Sequence, residues 1–473
     1  MLVLSLESST SSAKALLFDT KKGVIGSKNQ TYSSDICSDG KTDTDAVFRL
    51  TMSLGKEIAA GKSIDAVAIC GTWHSISVCD GSMNAVTPTF YWNFMDTSDQ
   101  CKKMREDKQL SHKIYTRTGC MPHVTYPRHV LIHLKENGFD LTGKKIISQG
   151  AYNFYKITGV FAESISTVSG SGLLNINTLK YDDFILDYIG IDESQLGTLV
   201  NHTDIAYLNE NGASLLGVAS GIPVVPAHPD GALNQVSNGA GAHGKMTFSV
   251  GTSAAIRLSS DRPVFSDYGQ LWCYYGPTGW LSGAAVSGAC NLINWFINHF
   301  ASDKWSFKDL EKFEDVGGDV PTFLPFLFRE RCPGWHDDRL GGFVEVKPSH
   351  NIRDFYRALQ AGIIFNILQC YEILCDEYGA PDEIFISGGI INSAQWTQMA
   401  ADIFQRELSC LKIKDASSMG AIVLALLAVK AISDISDIPE ECKAASMVYP
   451  RKEFADYYLE QYNRYKYWYE KTK

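Results

Sequence analysis

No run in this chain of 473 residues approaches the ~20 uninterrupted apolar residues of a membrane helix. The opening residues, MLVLSLESST, also lack the basic region and apolar run of a secretory signal, so the expected setting is cytoplasmic, with no membrane partner. Positive charge is scarce: 43 Lys and Arg against 53 Asp and Glu leave a net charge of −10. Phosphate backbones need clustered cations, so nucleic acid is not an expected partner. An anionic small molecule is not excluded, because charges beyond a Debye length of about 8 Å are largely screened and only those lining a pocket act on it. The twelve cysteines show no zinc or redox spacing, the nearest pair being Cys370 and Cys375, and are expected to be reduced and mostly buried. Low-complexity linkers are absent too, so any domains should pack closely around a cleft, where ligand sites tend to lie.

The composition, 45% apolar and 20% charged, is that of a globular protein, and the length suggests roughly two to four domains. The opening segment, residues 1–34, reads as three consecutive strands, with the hydroxyl-rich turn Ser9-Thr10-Ser11 between the first two. DTDAVFRLTMSLGKEIAA places Val47, Leu50, Leu54 and Ile58 on one helical face behind a cap at Thr42 or Thr44, and SIDAVAIC returns as a buried strand.

The second half repeats this order. KMTFSVGTSAAIRLS puts another short turn, Gly251-Thr252-Ser253, between two strands; GQLWCYY and GWLSGAAV form a hairpin around GPT, and GACNLINWFINHF supplies the helix. Aligning Ser9 with Gly251 gives an offset about half the chain long, which fits a duplicated domain rather than a solenoid, whose repeats run roughly 20–50 residues. Downstream, RDFYRALQAGIIFNILQCYEILCDEYG reads as a long buried helix ended by Gly379 and Pro381. It feeds the strand EIFISGG, then helices over SAQWTQMAADIFQREL, KDASSMGAIVLALLAVKA and the Tyr-rich tail, whose aromatics are expected to cover the core.

Tight turns of Gly, Ser and Thr expose successive backbone N–H groups and hydroxyls to which phosphate oxygens can bind. One such turn is commonplace; two in matching positions of a duplication point to phosphate. Gly388 and Gly389 follow a strand and precede a helix, letting a flat ligand lie against backbone. In VVPAHPDGALNQV, Asp230 follows a strand, where a carboxylate either caps the helix or accepts a hydroxyl proton.

Taken in order, these segments resemble the FGGY carbohydrate kinases of the actin-like ATPase superfamily. TGCMPHVTYP, ESISTVSGSGLLNINTLKYD, HPDGALNQVSNGA, FLPFLFRERCPGWHDD and SGGIINSAQWTQMAADIFQREL each resemble a family segment, and the likeness runs from Leu2 to about Val429. It implies an α/β fold of two duplicated actin-like, ribonuclease H-like ATPase domains around a central cleft: residues 1–243 for sugar, residues 244–473 for nucleotide. The implied activity is Mg²⁺-dependent phosphoryl transfer from ATP to a sugar hydroxyl, in which catalysis is mostly positioning and charge stabilisation. Asp230 matches the family's base. Thr10, Ser11 and Lys14 match the first phosphate motif and Gly251, Thr252 and Ser253 the second, while Gly288, Gly388, Gly389 and Asn392 fall at nucleotide positions. Trp73, His74, Trp92, Asn93, Asp96 and Tyr126 fall in sugar-reading segments, and Glu7 with Asp230 would hold the metal.

The chain departs from the family in several places. Glu7 and Ser9 stand where the family has Asp and Gly, Arg329 where it has Gly, and Ser98 where Arg is common. The segment holding Glu330, Arg331, Pro333 and Trp335 looks most like gluconate kinases, with xylulose kinases next and glycerol further off. A gluconate carboxylate wants a cation, for which Arg128 is one candidate. A regulatory protein that kept the fold and lost turnover is the alternative of another class; Glu7 favours it and Asp230 opposes it. An actin-like filament protein would have no use for the sugar-reading segments. The expected partners are thus a small sugar or sugar acid and ATP, with a homodimer left open as the assembly.

Overall fold

The computed structural model describes residues 1–301, 305–311 and 317–472. Strands β1 (Leu2–Ser8) and β2 (Ser12–Asp19) form an antiparallel hairpin that β3 (Gly23–Thr31) extends, with the Ser9 to Ser11 turn at its end. Helix α1 (Thr44–Ala59) covers one face, burying Val47, Leu54 and Ile58 and half-burying Leu50. Its cap is Asp43, not Thr42 or Thr44: Asp43 holds an extended backbone and its carboxylate accepts the Ala46 N–H at 2.8 Å. The Thr44 hydroxyl is instead buried 2.9 Å from that of Thr89.

Strand β4 (Ala66–Gly71) pairs parallel with β1 and is buried throughout, as a central strand covered on both faces must be. After it come α2 (Ser98–Glu106), α3 (Gln149–Thr158), β5 (Ala162–Ser164), α4 (Ile165–Ser169), β6 (Ala206–Tyr207), β7 (Pro223–Pro229) and α5 (Asp230–Ser237). The first large sheet has the order β6-β7-β4-β1-β2-β3.

The second half begins with β8 (Lys245–Val250) and β9 (Ala254–Ser260), joined through Gly251 to Ser253, then the hairpin β10 (Trp272–Gly276) and β11 (Gly279–Val286). Helices α6 (Cys290–Phe296) and α7 (Ile352–Tyr378) lead to β12 (Glu383–Gly388), α8 (Ala394–Phe404), β13 (Leu408–Cys410), α9 (Ala416–Ala428), β14 (Ser446–Val448) and α10 (Ala455–Lys471). The sheet order is β10-β11-β9-β8-β12-β13-β14. Here β8, β9, β11, β12 and β13 repeat β1, β2, β3, β4 and β7, with the same parallel and antiparallel senses, while β10 is extra. The duplication read from two turns therefore extends to whole sheets.

Helix α8 is shorter than its pattern suggested. It stops at Phe404 because Gln405 takes a left-handed φ of 49°, and Leu408 already belongs to β13. Helix α7 is long and apolar enough to cross a membrane, but its most apolar stretch is 78% buried in the second core. Tyr458, Tyr462, Tyr465 and Tyr469 of α10 are buried on that core. All twelve cysteines are free thiols, nine of them buried.

The halves are joined by α9, which belongs to the second but packs on β1, β4 and β7 of the first. Its crossing with α5 is close: a Cβ on Gly420 would stand 2.0 Å from the Leu233 carbonyl oxygen. Asp230 at the start of α5 and Ser253 of the second turn line one cavity.

Candidate active site

The hairpin register puts Glu7 directly opposite Lys14, and their charged ends are 3.6 Å apart. Glu7 is buried, and its Oε2 accepts hydrogen bonds from Ser417 at 2.8 Å and Ser418 at 2.6 Å, both at the start of α9. Lys14 also reaches Asp415 at 3.3 Å. Burial pulls the Lys14 pKa down, but the charges of Glu7 and Asp415 outweigh it and the net shift is upward. Ser9 does not take a positive φ. Its hydroxyl donates to the Ser12 carbonyl at 2.8 Å and closes the turn that Gly makes in the family pattern. Thr10 is half-buried and accepts the Trp92 indole N–H at 3.2 Å, while Ser11 is exposed.

The second turn is tied to α6, since Cys290 N–H donates to the Gly251 carbonyl and Asn291 N–H to that of Thr252. A Cβ on Gly251 would make an ordinary 3.8 Å contact with the Ser253 carbonyl oxygen, and Thr252 is exposed. Gly388 needs to be glycine: its φ is 93°, and a Cβ there would lie 2.4 Å from the Val250 carbonyl oxygen. At Gly389 a Cβ would meet the Cys290 sulfur, and at Gly288 the Pro325 carbonyl oxygen. Asn392 is exposed at the end of the short turn that follows Gly389. Gly251, Gly388 and Gly389 thus come together around Val250 and Cys290.

A cavity of about 260 Å³ reaches Ser253 of the second turn and Trp92, whose indole N–H donates to Thr10 of the first. Asp230, Trp73, His74, Trp92 and Ser253 are among its lining residues. Asp230 does not cap α5, for Pro229 holds that position; its Oδ1 accepts N–H groups of Gly231 at 2.8 Å and Trp73 at 3.4 Å. Burial and the charge of Glu7 raise the Asp230 pKa against these hydrogen bonds and the Arg257 guanidinium. His74 Nδ1 donates to the Gly170 carbonyl at 2.6 Å, leaving Nε2 as an acceptor. Burial and the nearby Arg331 push its pKa down to about 3, so the ring is neutral. The Trp73 indole is fixed by its N–H bond to the Ser166 carbonyl of α4 at 2.8 Å.

Several sequence expectations shift. Tyr126 is fully buried behind the wall, its hydroxyl 3.0 Å from that of Tyr274, and its ring packs edge-on against His74. Asn93 and Asp96 are exposed and do not line the cavity. Arg128 is 1% exposed and spends its guanidinium on the carbonyls of Cys120 and Met121, the Thr118 hydroxyl and His129, so it offers nothing to a ligand. The sequence reading missed Arg257, Trp272 and Tyr274, which line the cavity from β9 and β10, and gave Arg331 no place in it. A signal for Arg257 was present: a charged residue two places after Ala255, on the same face of a strand otherwise buried. Arg329, in place of a family glycine, has a φ of 70°, which accounts for glycine being favoured there.

A larger cavity of about 800 Å³ lies between α2 and residues 329–338, crossed by the ion pairs Arg105–Asp337 and Lys102–Asp338. Neither turn nor Asp230 reaches it.

Comparison with known proteins agrees with this geometry. Residues 2–237 match the N-terminal domain of the FGGY family of carbohydrate kinases and residues 246–429 its C-terminal domain. A gluconokinase from Bacillus licheniformis is 26% identical, the match covering 96% of this chain and 93% of that protein. A xylulose kinase from Lactococcus lactis is also 26% identical, over 89% and 87%. Among solved structures, a gluconate kinase from Lactobacillus acidophilus superposes with a TM-score of 0.93 at 24% identity, covering 98% of this chain and 96% of that one. With both domains matched in order along two duplicated sheets, the chain belongs to the FGGY family of carbohydrate kinases.

Proposed function

We propose that this kinase transfers the γ-phosphoryl group of ATP to a hydroxyl of gluconate, with Asp230 as the base. The observation that carries the chemistry is that Asp230 lines one cavity with Ser253 of the second phosphate turn and with Trp92, itself bonded to Thr10 of the first. The sugar hydroxyl oxygen forms the new bond to phosphorus, the bond from phosphorus to the leaving ADP oxygen breaks, and the hydroxyl proton passes to Asp230. A positioned base typically contributes ~10²–10⁴ in rate. Neutral His74 accepts a second sugar hydroxyl, and Trp73 supplies an apolar wall.

In this reading residues 1–243 carry most of the sugar site and residues 244–473 the nucleotide site, through Gly251 to Ser253, Gly288, Gly388, Gly389 and Asn392. Thr10, Ser11 and Lys14 complete the phosphate grip. Mg²⁺ prefers one or two carboxylates with several waters. Asp230, which lines the cavity, and Glu7 are the carboxylates that would hold it, Glu7 through Oε1, since its Oε2 accepts from Ser417 and Ser418. When bound, the metal would neutralise charge on the transferring phosphoryl group. Asn93 and Asp96, exposed and outside the cavity lining, would contact sugar only on closure of the halves.

Gluconate is chosen over xylulose because the gluconokinase relative matches more of this chain. The xylulose kinase match at equal identity makes a pentulose the second reading. A coupled ADP-release assay with Mg²⁺ across gluconate, xylulose, ribulose and glycerol tests both. Turnover is expected on gluconate; turnover on xylulose alone replaces the substrate, and silence on every sugar overturns the assignment.

A further inference from the structure

Two guanidinium groups enter the sugar cavity from the C-terminal half. Arg331 has no side-chain hydrogen bond or ion pair with any described residue, and its Nε is buried without a partner. Arg257 is held by one bond, from Nη1 to the Ser249 hydroxyl at 3.0 Å, and its Nε is likewise buried and unpartnered. That Nε lies 3.4 Å from where a Cβ on Gly231 would stand, against the residue that follows Asp230. The contrast with Arg128 is complete, since there every donor nitrogen has an acceptor inside the protein.

The charges of the cavity do not balance. Its walls carry two guanidinium groups and one carboxylate, Asp230, and His74 is neutral. One positive charge is left over in a partly desolvated space, where an unpaired ion is costly. The guanidinium fork presents parallel N–H donors that match a carboxylate in a bidentate geometry. A neutral ketose or polyol would leave those donors facing hydroxyls and the charge uncompensated.

We infer that Arg331, with the Arg257 guanidinium that lines the same cavity, binds the carboxylate of a sugar acid and selects an aldonate over a neutral sugar. This rests on the kinase reading of the same cavity and goes further, fixing which group of the substrate is recognised and by what.

The test reads binding without turnover, through the fluorescence of Trp73, Trp92 and Trp272 on the cavity wall. Gluconate is compared with glucitol, which has the same carbon chain with a hydroxymethyl group in place of the carboxylate. The wild-type protein is expected to bind gluconate more than tenfold tighter, with salt weakening gluconate and not glucitol. Arg331→Gln is expected to weaken gluconate by roughly a hundredfold, as for truncation of one partner of a buried charge pair. Glucitol should be unaffected, and Arg331→Lys should recover part of the loss. Equal loss for both ligands in a folded Arg331→Gln, or wild-type gluconate affinity that is indifferent to salt and no tighter than glucitol, overturns the inference. Turnover of another aldonate but not gluconate keeps the carboxylate site and removes gluconate as substrate. Turnover of xylulose with no sugar acid bound removes the carboxylate site and keeps the kinase.

Discussion

Glu7 near the end of β1 and Ser418 on α9, 411 residues apart in sequence, meet in a buried 2.6 Å hydrogen bond. Ser417 adds a second bond to the same oxygen and Lys14 flanks the other. The extra methylene of Glu over the family's Asp is what reaches these hydroxyls. Shortening it should separate the halves of the contact: Glu7→Asp is expected to lower stability, as is the Ser417→Ala, Ser418→Ala pair. Hydrogen bonds to a charged group contribute about 1.5–3 kcal/mol each, so the double variant should shift a denaturant midpoint measurably. Unchanged midpoints in both would mean the contact is not held in solution.

Asp230→Asn is expected to lower kcat by ~10²–10⁴ while nucleotide still binds by calorimetry. Turnover near normal would remove Asp230 as the base.

The acid limb of kcat/KM should lie above the ordinary aspartate value of 3.8, because the base must be ionised and burial and Glu7 both hold its pKa up. Removing one of those causes with Glu7→Gln should move the limb to lower pH. A limb that stays put would show that the Glu7 charge does not act on the base.

Glu163 on β5 is fully buried against the N–H and hydroxyl of Ser148, and burial raises its pKa to about 7. The folded state therefore holds a proton there that the unfolded chain releases near the ordinary value of 4.5. Its stabilising effect is full below about 4.5 and is lost as pH rises through about 7, a change on the order of 3 kcal/mol. Glu163→Gln, which mimics the protonated form, should flatten that part of the stability profile. An identical slope in the variant would place the titration elsewhere.

Gly420→Ala should destabilise the junction of α5 and α9, since its Cβ would overlap a backbone oxygen that cannot turn aside. Overpacking of this kind costs about 1–3 kcal/mol. Thermal unfolding at the wild-type midpoint would show that the helices slide apart freely.

Local chemistry settled what the sequence could express by itself. The alternation of β1 and β2, the matching strands and turn half a chain later and the Gly388-Gly389 pair depend on neighbours a few residues away, so periodicity and turn composition were enough to reveal two halves of one plan. For Asp230 the local pattern left cap and base both open, and it was the resemblance to a family segment that pointed to the base. What only the tertiary structure decided were contacts between segments far apart. Glu7 closes on α9 instead of lying open, Tyr126 backs His74 rather than facing the cavity, and Arg128 is consumed by carbonyls of its own neighbourhood. Arg257 and Arg331 come from separate segments and line one cavity, each with its Nε unpartnered. A cation's availability depends on which acceptors surround it in three dimensions, and no spacing along a chain records that.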